Sequence, residues 1–115
     1  MSLKRILLVE DHLSYRVLMN EWLKRTGYFY NIVSSGEAAL KALELTTYHL
    51  IVSDLFMPDM SGIMLAGIVA EKYKTPFIII TANTLFDVKH YVFENKYPKP
   101  IDAQTFLSLI EKHIQ

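Results

Sequence analysis

Leu50-Ile51-Val52-Ser53-Asp54 is a short strand-forming run that stops on a carboxylate, and the fold follows from what surrounds it. A continuous apolar stretch of this length suits a strand buried on both faces of a parallel sheet. Similar runs stand at Arg5–Val9 and Phe77–Thr81, with further strand candidates at Phe29–Val33 and, weakly, near Lys96–Pro98. Helical periodicity fills the gaps between them. Tyr15, Leu18, Met19, Trp22 and Leu23 form one apolar stripe, and Gly27 is placed to end that helix.

Three more stripes follow. Ala39, Leu40 and Leu43 come after Ser34-Ser35, either of which can cap a helix. Leu65, Ala66, Val69 and Tyr73 make the next, before Pro76 opens a strand. Ala103, Phe106, Leu107, Ile110 and Ile114 make the last, with Asp102 as N-cap. Core packing accounts for most of these aromatic and methionine side chains. Strands alternating with helices predict an α/β, doubly wound open sheet with helices on both faces.

Composition narrows the function classes. The chain of 115 residues has room for one domain, residues 1–115, and is 51% hydrophobic, which argues against disorder. Twelve basic and twelve acidic residues cancel, and no basic stripe stands out, so direct nucleic-acid binding is not expected. There is no cysteine, which removes disulfides and thiolate metal sites and suits a cytoplasmic setting. No apolar run approaches the roughly 20 residues that cross a bilayer.

Open α/β sheets bind ligands at the carboxyl ends of their strands. There this sequence places Glu10 and Asp11 after the first strand, Asp54 after the third, Thr81 closing the fourth and Lys99 beyond the weak fifth. Each has an ordinary explanation alone: an acid after a strand often caps a helix, Thr is a good strand former, and Lys before Pro is often a solvated loop residue. Together they make an oxygen-rich cluster that asks for a cation, because carboxylates held close repel one another. Oxygen ligands favour Mg²⁺ over Zn²⁺, and Mg²⁺ commonly brings phosphate oxygens with it. Asp54 is then the candidate nucleophile, since carboxylates can accept phosphoryl groups covalently.

At these residues the chain resembles the receiver domain of two-component response regulators. The matching segments are Ile6-Leu7-Leu8-Val9-Glu10-Asp11-His12, Ile51 to Gly62 (with Met57-Pro58-Asp59-Met60-Ser61-Gly62), Ile78-Ile79-Ile80-Thr81-Ala82 and Lys99-Pro100. The resemblance implies a flavodoxin-like five-stranded sheet of order 2-1-3-4-5. It implies Asp54 as phosphoacceptor and Mg²⁺ held by Asp11, Asp54, the main-chain carbonyl of Phe56 and, mainly through water, Glu10. Thr81 and Lys99 would contact the phosphoryl oxygens, and the Lys99–Pro100 bond would be cis. The donor would be a phosphohistidine on a histidine kinase or phosphotransfer protein. The chain would be a switch with at most self-phosphorylation and self-dephosphorylation activity, not an enzyme in the usual sense. It would stand alone or be cut from a larger regulator or hybrid kinase with its own output domain. A homodimer, where one forms, would use the face of the fourth helix, fifth strand and fifth helix.

Two departures bear on signal output. Receivers usually carry Tyr or Phe three residues before the lysine, where this chain has Lys96, with Tyr97 next to it. Only the 17 residues 82–98 separate Thr81 from Lys99, about one helical turn short, so the fourth helix is expected to be short. Lys96 is expected to stay solvated, and output to run through residues 82–92. Phe86, Tyr91, Phe93 and Tyr97 crowd this region as a partner surface or a core cover.

His12 reads as an exposed residue at a helix start, and His49, His90 and His113 lack ligand spacing. A haloacid-dehalogenase-like phosphatase would want a second Asp where Phe56 stands, and a flavodoxin-like cofactor binder would want a phosphate loop after the first strand. The remaining alternative is a degenerate receiver that binds partners without phosphorylation, against which the intact Asp54, Thr81 and Lys99 argue.

Overall fold

The computed structural model describes residues 3–82 and 95–114. Its strands stand where the apolar runs do: β1 (Arg5–Val9), β2 (Phe29–Val33), β3 (Leu50–Ser53), β4 (Phe77–Thr81) and β5 (Lys96–Pro98). They form one sheet in the order β2-β1-β3-β4-β5, with every pair parallel. Four helices lie among the described residues: α1 (Leu13–Leu23), α2 (Gly36–Leu45), α3 (Gly62–Lys72) and α4 (Ala103–His113). The short helix expected fourth, with Phe86, His90, Tyr91 and Phe93, falls outside the described residues, so α4 is the helix expected fifth.

The pleat divides the core into two halves. Ile6 and Leu8 of β1 point with Val52, Ile78 and Ile80 to one face, where Trp22 of α1 and Phe106 of α4 cover them. Leu7 and Val9 point with Ile51 and Ile79 to the other, against Leu43 of α2 and Leu65 of α3. Successive strand residues face opposite ways, so a strand covered by helices on both sides is apolar along its length except at an end. That is the reason β1, β3 and β4 read as unbroken runs. At the edge, β2 leaves Phe29 and Asn31 in solvent.

Local chemistry sets the helix ends. The Oγ of Ser35 accepts from the Ala38 amide at 3.1 Å, that of Ser61 from Met64 at 3.0 Å, and Asp102 Oδ1 from Thr105 at 2.8 Å. Each satisfies an amide the first helical turn would leave unpaired. Gly27, at φ +78°, takes the left-handed conformation in the turn after α1. Two stripe expectations need correction. Leu18 is 47% exposed instead of packed, and Leu109, outside the expected stripe, is 8% exposed and buried. α1 meets the sheet along a narrower strip than periodicity alone suggests, and α4 meets it along a wider one.

Candidate functional site

The sheet register lifts the acids to one level. Val9 pairs with Ser53, so Glu10 and Asp54 are the next residues on adjacent strands. The ladder runs on beneath them: the Glu10 amide donates to the Val33 carbonyl at 2.9 Å and the Asp54 amide to Val9 at 3.0 Å. On the far side Thr81 pairs with Pro98, and the Lys99 amide donates to the Thr81 carbonyl at 2.9 Å. The Lys99–Pro100 bond is cis, as expected.

Glu10, Asp11 and Asp54 bring carboxylate oxygens within 4.8 Å of one another. Lys99 Nζ donates to Glu10 Oε1 at 2.6 Å and to Asp54 Oδ2 at 3.2 Å. The side chains of Lys99 and Glu10 are 3% and 2% exposed and that of Asp54 14%, whereas Asp11 is exposed. The other oxygens are held by main chain: Glu10 Oε2 accepts from the His12 amide at 3.1 Å and Asp54 Oδ1 from the Leu55 amide at 2.7 Å. Burial holds the Glu10 carboxyl above its ordinary range, and the Lys99 ammonium offsets only part of that rise. The cluster is short of positive charge. Three carboxylates face one ammonium, and an all-oxygen donor set of this size suits a hard divalent cation.

Thr81 is buried at the end of β4, and Phe56 is 47% exposed on the loop after β3, where it bridges Ser61. Sequence and structure thus bring Glu10, Asp11, Asp54 and Lys99 into one cluster, while Thr81 ends the neighbouring β4 and Phe56 lies two residues beyond Asp54. His12 is exposed at the start of α1, as expected. His49 Nδ1 accepts from the Arg5 amide at 3.0 Å, and His113 Nε2 lies 2.7 Å from the Tyr97 hydroxyl.

Three supporting residues escaped the sequence reading of the site. A Cβ at Gly62 would overlap the Asp54 carbonyl oxygen, so only glycine lets α3 start against the acid. Asp59 accepts from the Gly36 amide at 3.0 Å and the Glu37 amide at 2.8 Å, tying the β3–α3 loop to the start of α2. These two amides hold its carboxyl below the usual range, Glu37 most of all. Tyr15, assigned above to a core stripe, lays its ring centroid 4.0 Å from Lys99 Nζ. Gly62 and Asp59 both lie within the quoted motif, which was the available signal; nothing in the sequence marks Tyr15.

The family model of the response regulator receiver domain matches residues 6–111. The chain is a response-regulator receiver domain. This receiver is 33% identical over 111 residues to the DNA-binding transcriptional regulator NtrC of Proteus hauseri, covering 92% of this chain and 24% of that protein. It is 26% identical over 114 residues to the aerobic respiration control sensor protein ArcB of Escherichia coli, covering 93% of this chain and 15% of ArcB. Among solved structures it is similar to the response regulator TrrA of Thermotoga maritima in complex with Mg²⁺ and BeF, at 30% identity and a TM-score of 0.84, covering 96% of this chain and 98% of that one. The receiver therefore spans about a quarter or less of these two curated relatives. Receiver domains are signalling modules that bind Mg²⁺ at an acidic site and work with histidine kinases and output domains. No helix among the described residues is long and apolar enough to cross a membrane.

Within the receiver, Lys96 does occupy the place three residues before the lysine, opposite Ile79. It is half-buried, not fully solvated as expected. Tyr97 does not substitute for the missing aromatic. It points to the other face of the strand, into the half of the core under α1 and α4.

Proposed function

We propose that residues 1–115 act as one receiver domain that takes a phosphoryl group onto Asp54. The observation that carries this is the buried Lys99 ammonium bridging Glu10 and Asp54, with Asp11 open to solvent beside them. The donor is a phosphohistidine on a histidine kinase or phosphotransfer protein. The P–N bond breaks as the P–O bond to an Asp54 carboxylate oxygen forms, and the imidazole is left to regain its proton. The Leu55 amide fixes one Asp54 oxygen, so the carboxylate meets the donor in one orientation. Asp11, Asp54 and the Phe56 carbonyl would hold Mg²⁺, with Glu10 acting mainly through water. The bound ion would neutralise charge on the transferring group. Lys99 and the Thr81 hydroxyl then bind the phosphoryl oxygens. The added charge, about −1.5 to −2 at neutral pH, draws Thr81 and the segment after it, through which the domain regulates a partner or an output domain in the cytoplasm.

With Mg²⁺ and acetyl phosphate, intact-mass analysis should show one added phosphoryl group, stable in acid and removed by hydroxylamine. Asp54→Ala should show none. Equal labelling of that variant overturns the assignment, and an unlabelled wild type favours the phosphorylation-independent interaction module.

A further inference from the structure

Lys99 rests on more than carboxylates. Two of its contacts are Glu10 and Asp54; a further side of the ammonium is taken by the face of Tyr15, whose centroid lies 4.0 Å from Nζ. The ring comes from the first turn of α1 and is half-buried against the core below it. Its far edge is met by the His12 ring, 6.3 Å away in a T-shaped contact. A tyrosine face attracts a cation through the ring quadrupole, most strongly where water is excluded. At 3% side-chain exposure, Lys99 is in such a place.

The ring matters because of what the proposed chemistry does to the other two partners. Once Asp54 carries the phosphoryl group as an acyl phosphate, its bond to Lys99 is lost, and Glu10, drawn to the water shell of a divalent cation, would hold the ammonium less firmly. A buried ammonium that loses its partners is costly unless something replaces them. Neither the metal nor the phosphoryl group competes for the Tyr15 ring. We propose that Tyr15 is a positioning residue, holding the Lys99 ammonium at the site while its carboxylate partners are recruited elsewhere. Lys99 is then already in place for the phosphoryl oxygens. An aliphatic side chain at position 15 would fill the same core space without supplying the face. This role rests on the phosphoacceptor reading above.

The test compares Tyr15→Leu with Tyr15→Phe in the complete chain. Initial rates of acetyl phosphate labelling are measured at saturating Mg²⁺, and the Lys99 side-chain methylene resonances are recorded in the unphosphorylated protein. Tyr15→Leu should slow labelling roughly threefold to thirtyfold, the span from an exposed cation–π contact to one that excludes water. Tyr15→Phe should restore the rate, because it returns the ring without the hydroxyl. The Lys99 methylene protons should be shifted upfield by the ring in the wild type and in Tyr15→Phe, and should lose that shift in Tyr15→Leu. A core defect alone would not move those resonances and then return them with phenylalanine. Labelling of Tyr15→Leu at the wild-type rate, or of Tyr15→Phe as slow as Tyr15→Leu, overturns the proposal while leaving the phosphoacceptor reading intact. A wild type that takes no phosphoryl group overturns both. If Tyr15→Leu does not fold, the wild-type spectrum still decides, since Lys99 methylene protons without an upfield shift would also overturn it.

Discussion

The two ends of the sheet carry polar side chains on different terms. At the amino end, Tyr48 donates to Asn31 Oδ1 at 2.7 Å, Arg5 reaches the same oxygen at 3.5 Å, and the Arg5 guanidinium lies 5.1 Å from the centre of the Phe29 ring. One charge is shared there among neutral partners near solvent. At the carboxyl end, three carboxylates crowd one buried ammonium. The first arrangement satisfies hydrogen bonds and leaves its single charge where water can reach it. The second keeps repulsion that folding alone would not select. Charge left uncompensated in a buried place is what a binding site looks like before its ligand arrives.

The contrast can be broken first at Gly62. Gly62→Ala drives a methyl group into the Asp54 carbonyl. Overpacking of this kind costs about 1–3 kcal/mol. Because the clash lands on the main chain of the proposed phosphoacceptor, labelling should slow as well. Denaturant unfolding and labelling rates measured together should both fall. A variant that loses stability but labels at the wild-type rate would separate the motif glycine from the chemistry.

Tyr48→Phe sharpens the comparison from the opposite end. Deleting the hydroxyl removes its bond to Asn31, at about 0.5–1.5 kcal/mol. The unfolding midpoint should drop while the rate of phosphoryl transfer stays unchanged. A parallel loss of rate would mean that the two ends of the sheet are energetically coupled.

The smallest effect is expected at Asp59, on the loop that joins the site to α2. Its carboxyl is held below the ordinary value of 3.8, mainly by the Glu37 and Gly36 amides. A depressed carboxylate contributes stability above its unfolded pKa and loses it as pH falls through the folded one. Asp59→Asn should therefore be less stable than the wild type near neutrality, and the gap should close below about pH 4. Thermal unfolding across that range checks it. A gap that persists unchanged in acid would assign the effect to shape instead of charge.

Much of this was legible in the amino-acid sequence, for identifiable reasons. Strands covered on both faces are apolar along their length except at an end, where Arg5, Ser53 and Thr81 stand, so β1, β3 and β4 could be read to the residue. Site acids at strand ends are legible because parallel register carries position in the chain into position in space. Glu10 and Lys99 are 89 residues apart and touch. Side-chain direction within a helix was harder. Tyr15 and Leu18 sit on one stripe by period, yet one reaches the site and the other faces water. Spacing gives the side of a helix, not how far its neighbours extend to cover it. The alternation of β5 settles a similar ambiguity: Tyr97 stands beside Lys96 in sequence and points to the opposite face.

The Lys99 bridge makes this site resemble an ion exchanger that is never empty of counter-ion. On the proposed chemistry, a divalent cation would find two of these acids already holding an ammonium fastened to the same chain. Competition for Asp54 would weaken loading when the metal comes alone, because the resident cation acts from a fixed and high local concentration. Being part of the chain, that ammonium cannot diffuse away. An anion entering alongside the metal would find Lys99 already within reach, so on the proposed chemistry metal and phosphoryl group should favour one another's binding through that ammonium.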